Sequence, residues 1–375
     1  MRKPAEERGN CYQAGVIRFR SPENVAGSLA AFAIVAATAL PAYGQEGAGA
    51  RNAGPERLAS PIDSPELLAL SPDAGRLAVA DAGNVAVVDL QTGDAVDSLA
   101  GDCCISGMAW VGEQDVLIAR DSGTGADAAG PGLDLYRPGV YQPPSRLSSA
   151  PCTAVSAAGS LAAAACGDGL VLVGVEDGAG SVVAYGGLGF FQDIAITPDG
   201  SMVIAAHRDV AGLAAGESIA PESIAGDPAT ALFLDVAADW PVDPPAAYGE
   251  MVLDANIRYL APAPDGAVAT LADGSVAELS TDGISVIHDV ALRDDAGPLV
   301  VLPEGRYAVG DFQNGSVLDL ATGEISAMPN GDSAPTMDGV ARGAWAAAAG
   351  PTVAWAGPDP ANGAVILIWR NLVLE

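Results

Sequence analysis

The stretch Leu68–Val79, LALSPDAGRLAV, decides the fold of this chain. It consists of a short apolar run, a turn built on Pro72 and Asp73, and a second apolar run. Pro suits the second position of such a turn, and Asp and Gly suit the positions that follow it. Each copy of the pattern therefore predicts a β-hairpin. The clearest further copies are Ile194–Ala205 (IAITPDGSMVIA), Leu260–Thr270 (LAPAPDGAVAT) and Val300–Val309 (VVLPEGRYAV).

The hairpin pattern recurs seven times, and each copy is followed by a polar loop and a third strand. The turns lie at Pro72, Gly112, Gly159, Pro198, Pro264, Pro303 and Gly350, with spacings of 40, 47, 39, 66, 39 and 47 residues. A strand-built repeat of this period is typical of a β-propeller. We therefore predict an all-β fold, a seven-bladed β-propeller of four-stranded antiparallel blades. The predicted blades are 64–101, 102–149, 150–187, 188–250, 251–291, 292–331 and 332–375.

Two features of the repeats need interpretation. The alanine tracts Leu161–Ala165 and Ala344–Ala349 suit helix by composition, but they are short and bounded by Gly or Pro, which favours strand. The last repeat supplies only three convincing strands, because Ala364–Glu375 runs on without a strong turn signal. We expect a strand around Arg57–Ile62 to complete this sheet and close the ring, which removes an exposed edge.

The N-terminal segment differs from the repeats. Val25–Leu40 is a short apolar run that follows Arg18 and Arg20 and ends before small residues. This arrangement is typical of a signal peptide, and we place cleavage after Gly44. The alternative is an uncleaved membrane anchor, although the run is shorter than the roughly 20 residues that span a bilayer.

The predicted division of the chain follows from these features. Residues 1–44 are the signal peptide, residues 45–60 are a flexible leader with the closing strand, and residues 61–375 are the propeller. Export to the periplasm or secretion is the expected location. No other long apolar run exists, so we expect no membrane insertion after cleavage.

The charge of the chain limits its partners. The whole chain has 47 acidic and 17 basic residues, and residues 1–44 account for three and five of them, which leaves 44 and 12, or about −32. Such a surface repels nucleic acid and anionic lipid, so we expect neither as a partner. A protein or small ligand of basic character, or a cation, fits this charge, and solubility alone is the alternative explanation. We expect the chain to be a monomer.

Four cysteines follow residue 44, and an even count in an exported chain indicates disulfides. Cys152 opens an apolar stretch and Cys166 closes the next, so a hairpin that turns at Ala158-Gly159 places them opposite each other. We predict a Cys152–Cys166 disulfide. For Cys103 and Cys104 the sequence leaves open a vicinal disulfide, two thiols, or crossed pairing of Cys104 with Cys152.

Insertions concentrate at one topological position. In propellers the loops from second to third strands lie on one face, together with the connections between blades. Extra residues on one face are typical of a binding surface, and drift in tolerant loops is the alternative. Four of these loops are minimal: Ala82-Gly83, Gly167–Gly169, Asp273-Gly274 and Phe312–Gly315. Three are enlarged: Asp121–Gly132, Val210–Ala229 and Gly357–Gly363.

A carboxylate stands at or near the end of each second strand. Around one rim these groups would form a negative mouth for a cation or a basic partner, although Asp in a turn often only bonds its own backbone. We assign no metal site, because the spacing of Asp121 and Asp127 lacks the alternating acids and terminal Glu of an EF-hand loop. The candidate binding-face residues are Asp81, Asp121, Asp127, Asp168, Asp209, Asp273, Asp311 and Asp359.

No motif specifies catalysis. His207 and Asp209 are the one His–Asp pair whose spacing suits general acid–base work, and we take them as the candidate catalytic residues. The other histidine, His288, lies in an expected outer strand. The sequence contains no HExxH, GxSxG or P-loop motif. We therefore favour a chain that is not an enzyme over the enzyme alternative given below, and we expect no cofactor, with a divalent cation left open.

The turns and the segments Asp89–Gly93 (DLQTG) and Asp319–Gly323 (DLATG) resemble the WD-repeat, YVTN and quinoprotein-like propeller superfamily over residues 60–375. The Trp-Asp and Gly-His pairs of true WD repeats are absent. Cys152 and Cys166 around one hairpin, followed by Asp168-Gly169, are similar to the heavy chain of periplasmic amine dehydrogenases. That similarity implies a propeller without its own cofactor that docks a small catalytic subunit.

The sequence therefore predicts an exported propeller that acts as a ligand- or protein-binding or assembly module through the face with the enlarged loops. The alternative is a periplasmic enzyme or enzyme subunit: a quinoprotein-type dehydrogenase component, or a metal-dependent hydrolase similar to lactonase-type propellers.

Overall fold

The strands form seven separate sheets. The computed structural model describes residues 54–101, 104–121, 130–176, 178–188, 190–208, 229–236, 246–281, 283–290, 292, 297–312, 315–329, 344–347, 350–359, 363–372 and 374. Within these residues the chain has 28 β-strands and no helix, in seven antiparallel sheets of four strands. These sheets are the predicted blades. None of the described residues form a helix of the length and apolar character that crossing a membrane requires.

The first three blades follow each other along the chain. Blade 1 has β2 (Leu67–Leu70), β3 (Arg76–Ala80), β4 (Val85–Asp89) and β5 (Ala95–Leu99). Blade 2 has β6 (Ile105–Val111), β7 (Asp115–Arg120), β8 (Gly132–Tyr136) and β9 (Ser145–Ser148). Blade 3 has β10 (Cys152–Ala158), β11 (Leu161–Cys166), β12 (Gly169–Glu176) and β13 (Ala179–Gly186).

The remaining blades complete the set. Blade 4 has β14 (Phe191–Ile196), β15 (Met202–Arg208), β16 (Ala229–Asp235) and β17 (Ala246–Leu253). Blade 5 has β18 (Ile257–Ala263), β19 (Gly266–Leu271), β20 (Val276–Ser280) and β21 (Gly283–His288). Blade 6 has β22 (Val300–Val301), β23 (Tyr307–Phe312), β24 (Gly315–Asp319) and β25 (Ile325–Ser326). Blade 7 has β26 (Ala344–Ala347), β27 (Val353–Asp359), β28 (Gly363–Trp369) and β1 (Glu56–Ala59).

The hydrophobic core consists of seven clusters, one between each pair of neighbouring blades. One cluster joins blade 7 to blade 1, where Ile366 and Ile368 pack with Leu77 and Val79. Each sheet therefore buries both of its faces, one against each neighbour, which is possible only if the sheets form a closed ring. The predicted seven-bladed propeller is confirmed.

The first strand of the fold completes the last blade. β1 pairs antiparallel with β28, with Leu58 opposite Ile366, and Arg370 forms an ion pair with Glu56 (3.1 Å). The predicted closing strand is confirmed, although it spans Glu56–Ala59 and ends before Ile62.

Side-chain hydrogen bonds hold the hairpin turns of blades 1 and 4 in the same geometry. In blade 1 the Ser71 hydroxyl donates to Asp73 (2.6 Å), which also accepts from the Gly75 amide (2.9 Å). In blade 4 Thr197 donates to Asp199 in the same way (2.6 Å). These bonds hold the chain reversal that the sequence pattern predicts.

The alanine tract of blade 3 forms strand β11, as predicted. Ala162 and Ala164 pack against blade 2, whereas Ala163 and Ala165 pack against blade 4. Small side chains on both faces let the neighbouring sheets approach closely. In blade 7, Ala344–Ala347 is strand β26, and the rest of that tract lies outside the described residues.

Cys152 lies opposite Cys166 in the β10–β11 pair, and the two form the predicted disulfide. Cys104 is disulfide-bonded as well, so it is not a free thiol. Crossed pairing of Cys104 with Cys152 is ruled out, and Cys103 lies outside the described residues.

Candidate functional site on the loop face

We call the loop face the end of the ring where second strands lead into third strands. Successive strands of each sheet are antiparallel, so these loops share an end with the connections between blades. The loops of blades 1, 3 and 5 are short, as predicted, at 81–84, 167–168 and 272–275. Those of blades 2 and 4 are long, because β7 ends at Arg120 and β15 at Arg208, whereas the next strands begin at Gly132 and Ala229.

The loop of blade 7 is shorter than predicted. Gly357, Pro358 and Asp359 belong to β27 and pair with Val365, Ala364 and Gly363 of β28. Gly and Pro favour turns, which placed these residues in the predicted loop, but the pairing with β28 continues through Pro358, opposite Ala364. The enlargement at this loop is reduced to residues 360–362.

Two of the candidate carboxylates accept hydrogen bonds that stabilise the loops in which they lie. Asp81 accepts from the backbone amides of Gly83 (2.8 Å) and Asn84 (2.6 Å). Partial burial opposes its ionisation, but the bonds from Asn84 and these amides hold the pKa of Asp81 below its usual value. The Ser275 hydroxyl donates to Asp273 (2.6 Å) and lowers its pKa. Both groups are therefore ionised at neutral pH.

The other candidate carboxylates differ in where they lie. Asp121 and Asp168 are exposed on the loop face. Asp311 does not lie in a loop: it belongs to β23, is 6% exposed, and accepts a hydrogen bond from the Trp345 indole (2.9 Å). Asp311 therefore fastens blade 6 to blade 7. Asp359 ends β27, while Asp127 and Asp209 lie outside the described residues.

His207 lies near the end of β15 at the loop face. Its ring is half-buried and makes an edge contact with Phe191, with ring centroids 5.6 Å apart. Because Asp209 lies outside the described residues, the structure leaves the proposed His–Asp pair as a prediction. His288 lies in β21 as expected, with Nε2 3.1 Å from Glu278.

Sequence reasoning missed a set of polar residues at the inner strands. The first strands of blades 2 to 5 each have a bulge at their loop-face end, so that one polar residue leaves the ladder: Ser106, Thr153, Gln192 and Arg258. An alignment of the repeats would have indicated these residues, because each of them directly follows the apolar residue that begins its strand.

The first three of these residues connect neighbouring blades. Ser106 donates to the Cys152 carbonyl (2.6 Å), Thr153 to the Phe191 carbonyl (2.9 Å), and Gln192 to the Ile257 carbonyl. Each accepting residue begins the inner strand of the next blade. Arg258 departs from the pattern and donates to Ala272 within its own blade (3.2 Å). The bulges therefore join neighbouring blades at the loop-face ends of their first strands.

Asp193 is the most perturbed carboxyl group among the described residues. It is half-buried on β14 and accepts from the Leu260 amide of blade 5 (2.6 Å) and from the Ile194 amide (2.9 Å). Surrounding protein removes hydration and raises the pKa of Asp193 to about 7, although both amide bonds act in the opposite direction. This group therefore changes its charge near neutral pH.

A groove lies on the opposite face of the ring, where first strands turn into second strands. It has a volume of about 630 Å³ and lies between blades 4, 5 and 6. Four acidic residues line it: Asp199, Asp265, Glu278 and Glu304. Within the part of the chain that the structure describes, no three His, Cys, Asp or Glu side chains are grouped to hold a metal ion.

Comparison with known proteins supports the class of fold. No family model matches the chain, and no curated protein matches it. Among solved structures, the β-propeller domain of Cps50 (Swd1) from Myceliophteria thermophila matches with a TM-score of 0.56 and 13% identity. The match covers 85% of this chain and 100% of that chain. Together with the seven closed blades, it shows that the chain has a β-propeller fold.

Proposed function

We propose that this chain is an exported protein-binding module whose loop face receives a positively charged partner. A propeller offers a rigid ring on which loops are displayed, and such surfaces commonly bind proteins. The observation that carries the proposal is the exposed carboxylate rim. Asp121, Asp168 and Asp273 are exposed on this face, and the pKa of Asp273 is held low.

Charge of the whole chain supports the choice of partner. A net charge of −30 attracts basic proteins over long distances and repels nucleic acid. The two long loops begin and end on the same face as the rim. A basic protein or peptide is therefore the favoured class of partner, ahead of a neutral small ligand.

Export is supported by the disulfide chemistry. Cys104, Cys152 and Cys166 are all disulfide-bonded, and such bonds persist in oxidising compartments. N-terminal sequencing of the mature protein tests this part of the proposal. A chain that begins at Gln45 supports it, and an intact chain in the cytoplasm contradicts it.

The binding proposal is tested with a probe of known charge. Labelled nona-arginine is titrated into the protein and into a double variant with Asp121→Asn and Asp273→Asn, and fluorescence anisotropy is measured. The matched control is Asp265→Asn with Glu304→Gln, which removes two exposed charges from the opposite face. We expect several-fold weaker binding only for the loop-face variant. Equal weakening by both variants, or a larger effect of the control, contradicts the proposal.

The second candidate function is the docking of a small catalytic subunit, as the similarity to amine dehydrogenase heavy chains implies. The observation that favours it is the Cys152–Cys166 disulfide, which spans the hairpin on which the similarity was based. A small Cys- and Trp-rich protein encoded beside this gene, and copurifying with the chain, distinguishes it from a general binding module.

A further inference from the structure

The outermost strand of each blade has one edge that no strand of its own sheet covers. Alternate residues of such an edge direct their backbone N–H and C=O groups outward, so it pairs with other chains unless something prevents it. Charged residues, bulges and short length are the usual protections. The seven outer strands are β1, β5, β9, β13, β17, β21 and β25.

Six of these strands are protected. The ladders of β5, β9, β17 and β21 are each interrupted by a register shift. β25 has only two residues. β1 has only four residues and carries Glu56 and Arg57.

β13 has none of these protections. Its sequence, AGSVVAYG, contains no charged residue and no proline. All eight residues pair with β12 without a register shift, from Ala179 opposite Glu176 to Gly186 opposite Gly169. Val182 is 36% exposed on this strand. β13 is therefore a long, regular and uncharged edge on an otherwise acidic molecule.

The ends of β13 indicate what it pairs with. Glu176 is exposed at one end. The Arg137 guanidinium also lies at this end, beside Gly178, but it is paired with Asp115 (2.6 Å). The exposed carboxylate of Asp168 lies beside Gly186 at the other end. Antiparallel pairing of two copies would bring the Glu176 end of one chain to the Asp168 end of the other. Each copy also carries a net charge of −30, so like charges oppose self-pairing. A partner strand with basic residues at both ends meets opposite charges instead.

We propose that the outer edge of β13 is a docking site for an extended segment of another protein, which adds a fifth strand to blade 3. The segment is uncharged over about eight residues, the length of β13, and has Lys or Arg at each end. This site lies on the side of the ring and shares only Asp168 with the loop-face rim, so variants at Asp121 and Asp273 separate the two proposals.

Two synthetic peptides of matched length test the charge requirement. One has four Thr-Val repeats between two arginines, and the other has the same repeats between two glutamates. We expect the arginine-ended peptide to slow hydrogen exchange of the backbone amides in residues 179–186 of the intact protein. We expect the glutamate-ended peptide to bind at least about tenfold more weakly, because both of its ends meet carboxylates.

Two variants test the location. Val182→Lys places a charge on β13, and Val252→Lys places the same charge on β17, where Val252 is 64% exposed. We expect Val182→Lys to weaken binding of the arginine-ended peptide about tenfold and Val252→Lys to leave it within twofold. Thermal unfolding of both variants checks that they fold.

Several results would overturn the docking site: no binding of the arginine-ended peptide, protection outside residues 179–186, equal effects of the two lysine variants, or a dimer paired through β13. The peptide comparison needs no variant, so it decides the question even if Val182→Lys does not fold. We expect the loop-face variants Asp121→Asn and Asp273→Asn to leave binding of the arginine-ended peptide unchanged.

Discussion

At the scale of the residue, polar side chains join neighbouring blades at the loop-face ends of their first strands. Ser106, Thr153 and Gln192 each donate to the first residue of the next blade. Asp193 makes the same kind of connection through the Leu260 amide. A single polar residue after an apolar one has no local signature of this role, because its partner lies 38 to 67 residues away in sequence. Only alignment of the repeats could have indicated it.

Asp193 gives the stability of the protein a dependence on pH. Its pKa is 3.8 in the absence of the fold and about 7 in the fold. Between these values the folded chain holds a proton that the unfolded chain has released. The contribution of Asp193 to the free energy of unfolding is therefore fully present below about pH 4 and is lost as the pH rises to about 7.

Asp193→Asn tests this dependence, since the amide oxygen still accepts from Leu260 but has no titratable proton. Urea unfolding of both proteins is measured at pH 5 and pH 7.5. We expect the native protein to lose more stability than the variant between these values, because only the native protein ionises this group. Identical changes in both proteins would contradict the perturbed pKa.

At the scale of the element, the sequence predicts the hairpins well because their turns are held locally. Asp73 and Asp199 each bond residues within two positions of themselves. The end of β27 was less predictable, because Gly357 and Pro358 favour a turn locally but pair with β28 in the sheet. Asp311 was assigned to the rim because its partner, Trp345, lies in another blade and leaves no local signal.

The hairpin turns of blades 1 and 4 have different residues at the position with a positive φ. Ala74 has a φ of 54°, and Gly200, at the equivalent position of blade 4, has a φ of 73°. A side chain in this region strains the backbone, whereas glycine does not. We expect Ala74→Gly to raise the free energy of unfolding by about 0.5–1 kcal/mol, after allowing for the greater freedom of glycine in the unfolded chain.

The reciprocal change serves as the control. Gly200→Ala adds a Cβ in the same strained region, 3.1 Å from a methyl group of Leu161, and is expected to lower stability by at least about 1 kcal/mol. Chemical denaturation of both variants measures the two effects. Stabilisation by Gly200→Ala, or destabilisation by Ala74→Gly, would contradict this explanation of the turn.

At the scale of the whole molecule, the ring depends on contacts between distant parts of the chain. The repeats alone predict seven sheets and their order, and the missing strand of the last repeat predicts closure. The function is less determined, because the loops that distinguish one propeller from another follow no repeat. The long connections of blades 2 and 4 both leave from the loop face, which is the reason that the proposed binding surface is placed there.

Closure is the central claim, and hydrogen exchange at β28 tests it most directly. One variant lacks residues 1–53 and keeps β1, while the other lacks residues 1–62 and loses both β1 and Ile62, which packs with blades 1 and 7. We expect the amides of Gly363–Trp369 to remain protected in the first variant and to exchange much faster in the second, with a lower unfolding temperature. Equal protection of β28 in both variants would contradict a ring closed by its own N-terminal strand.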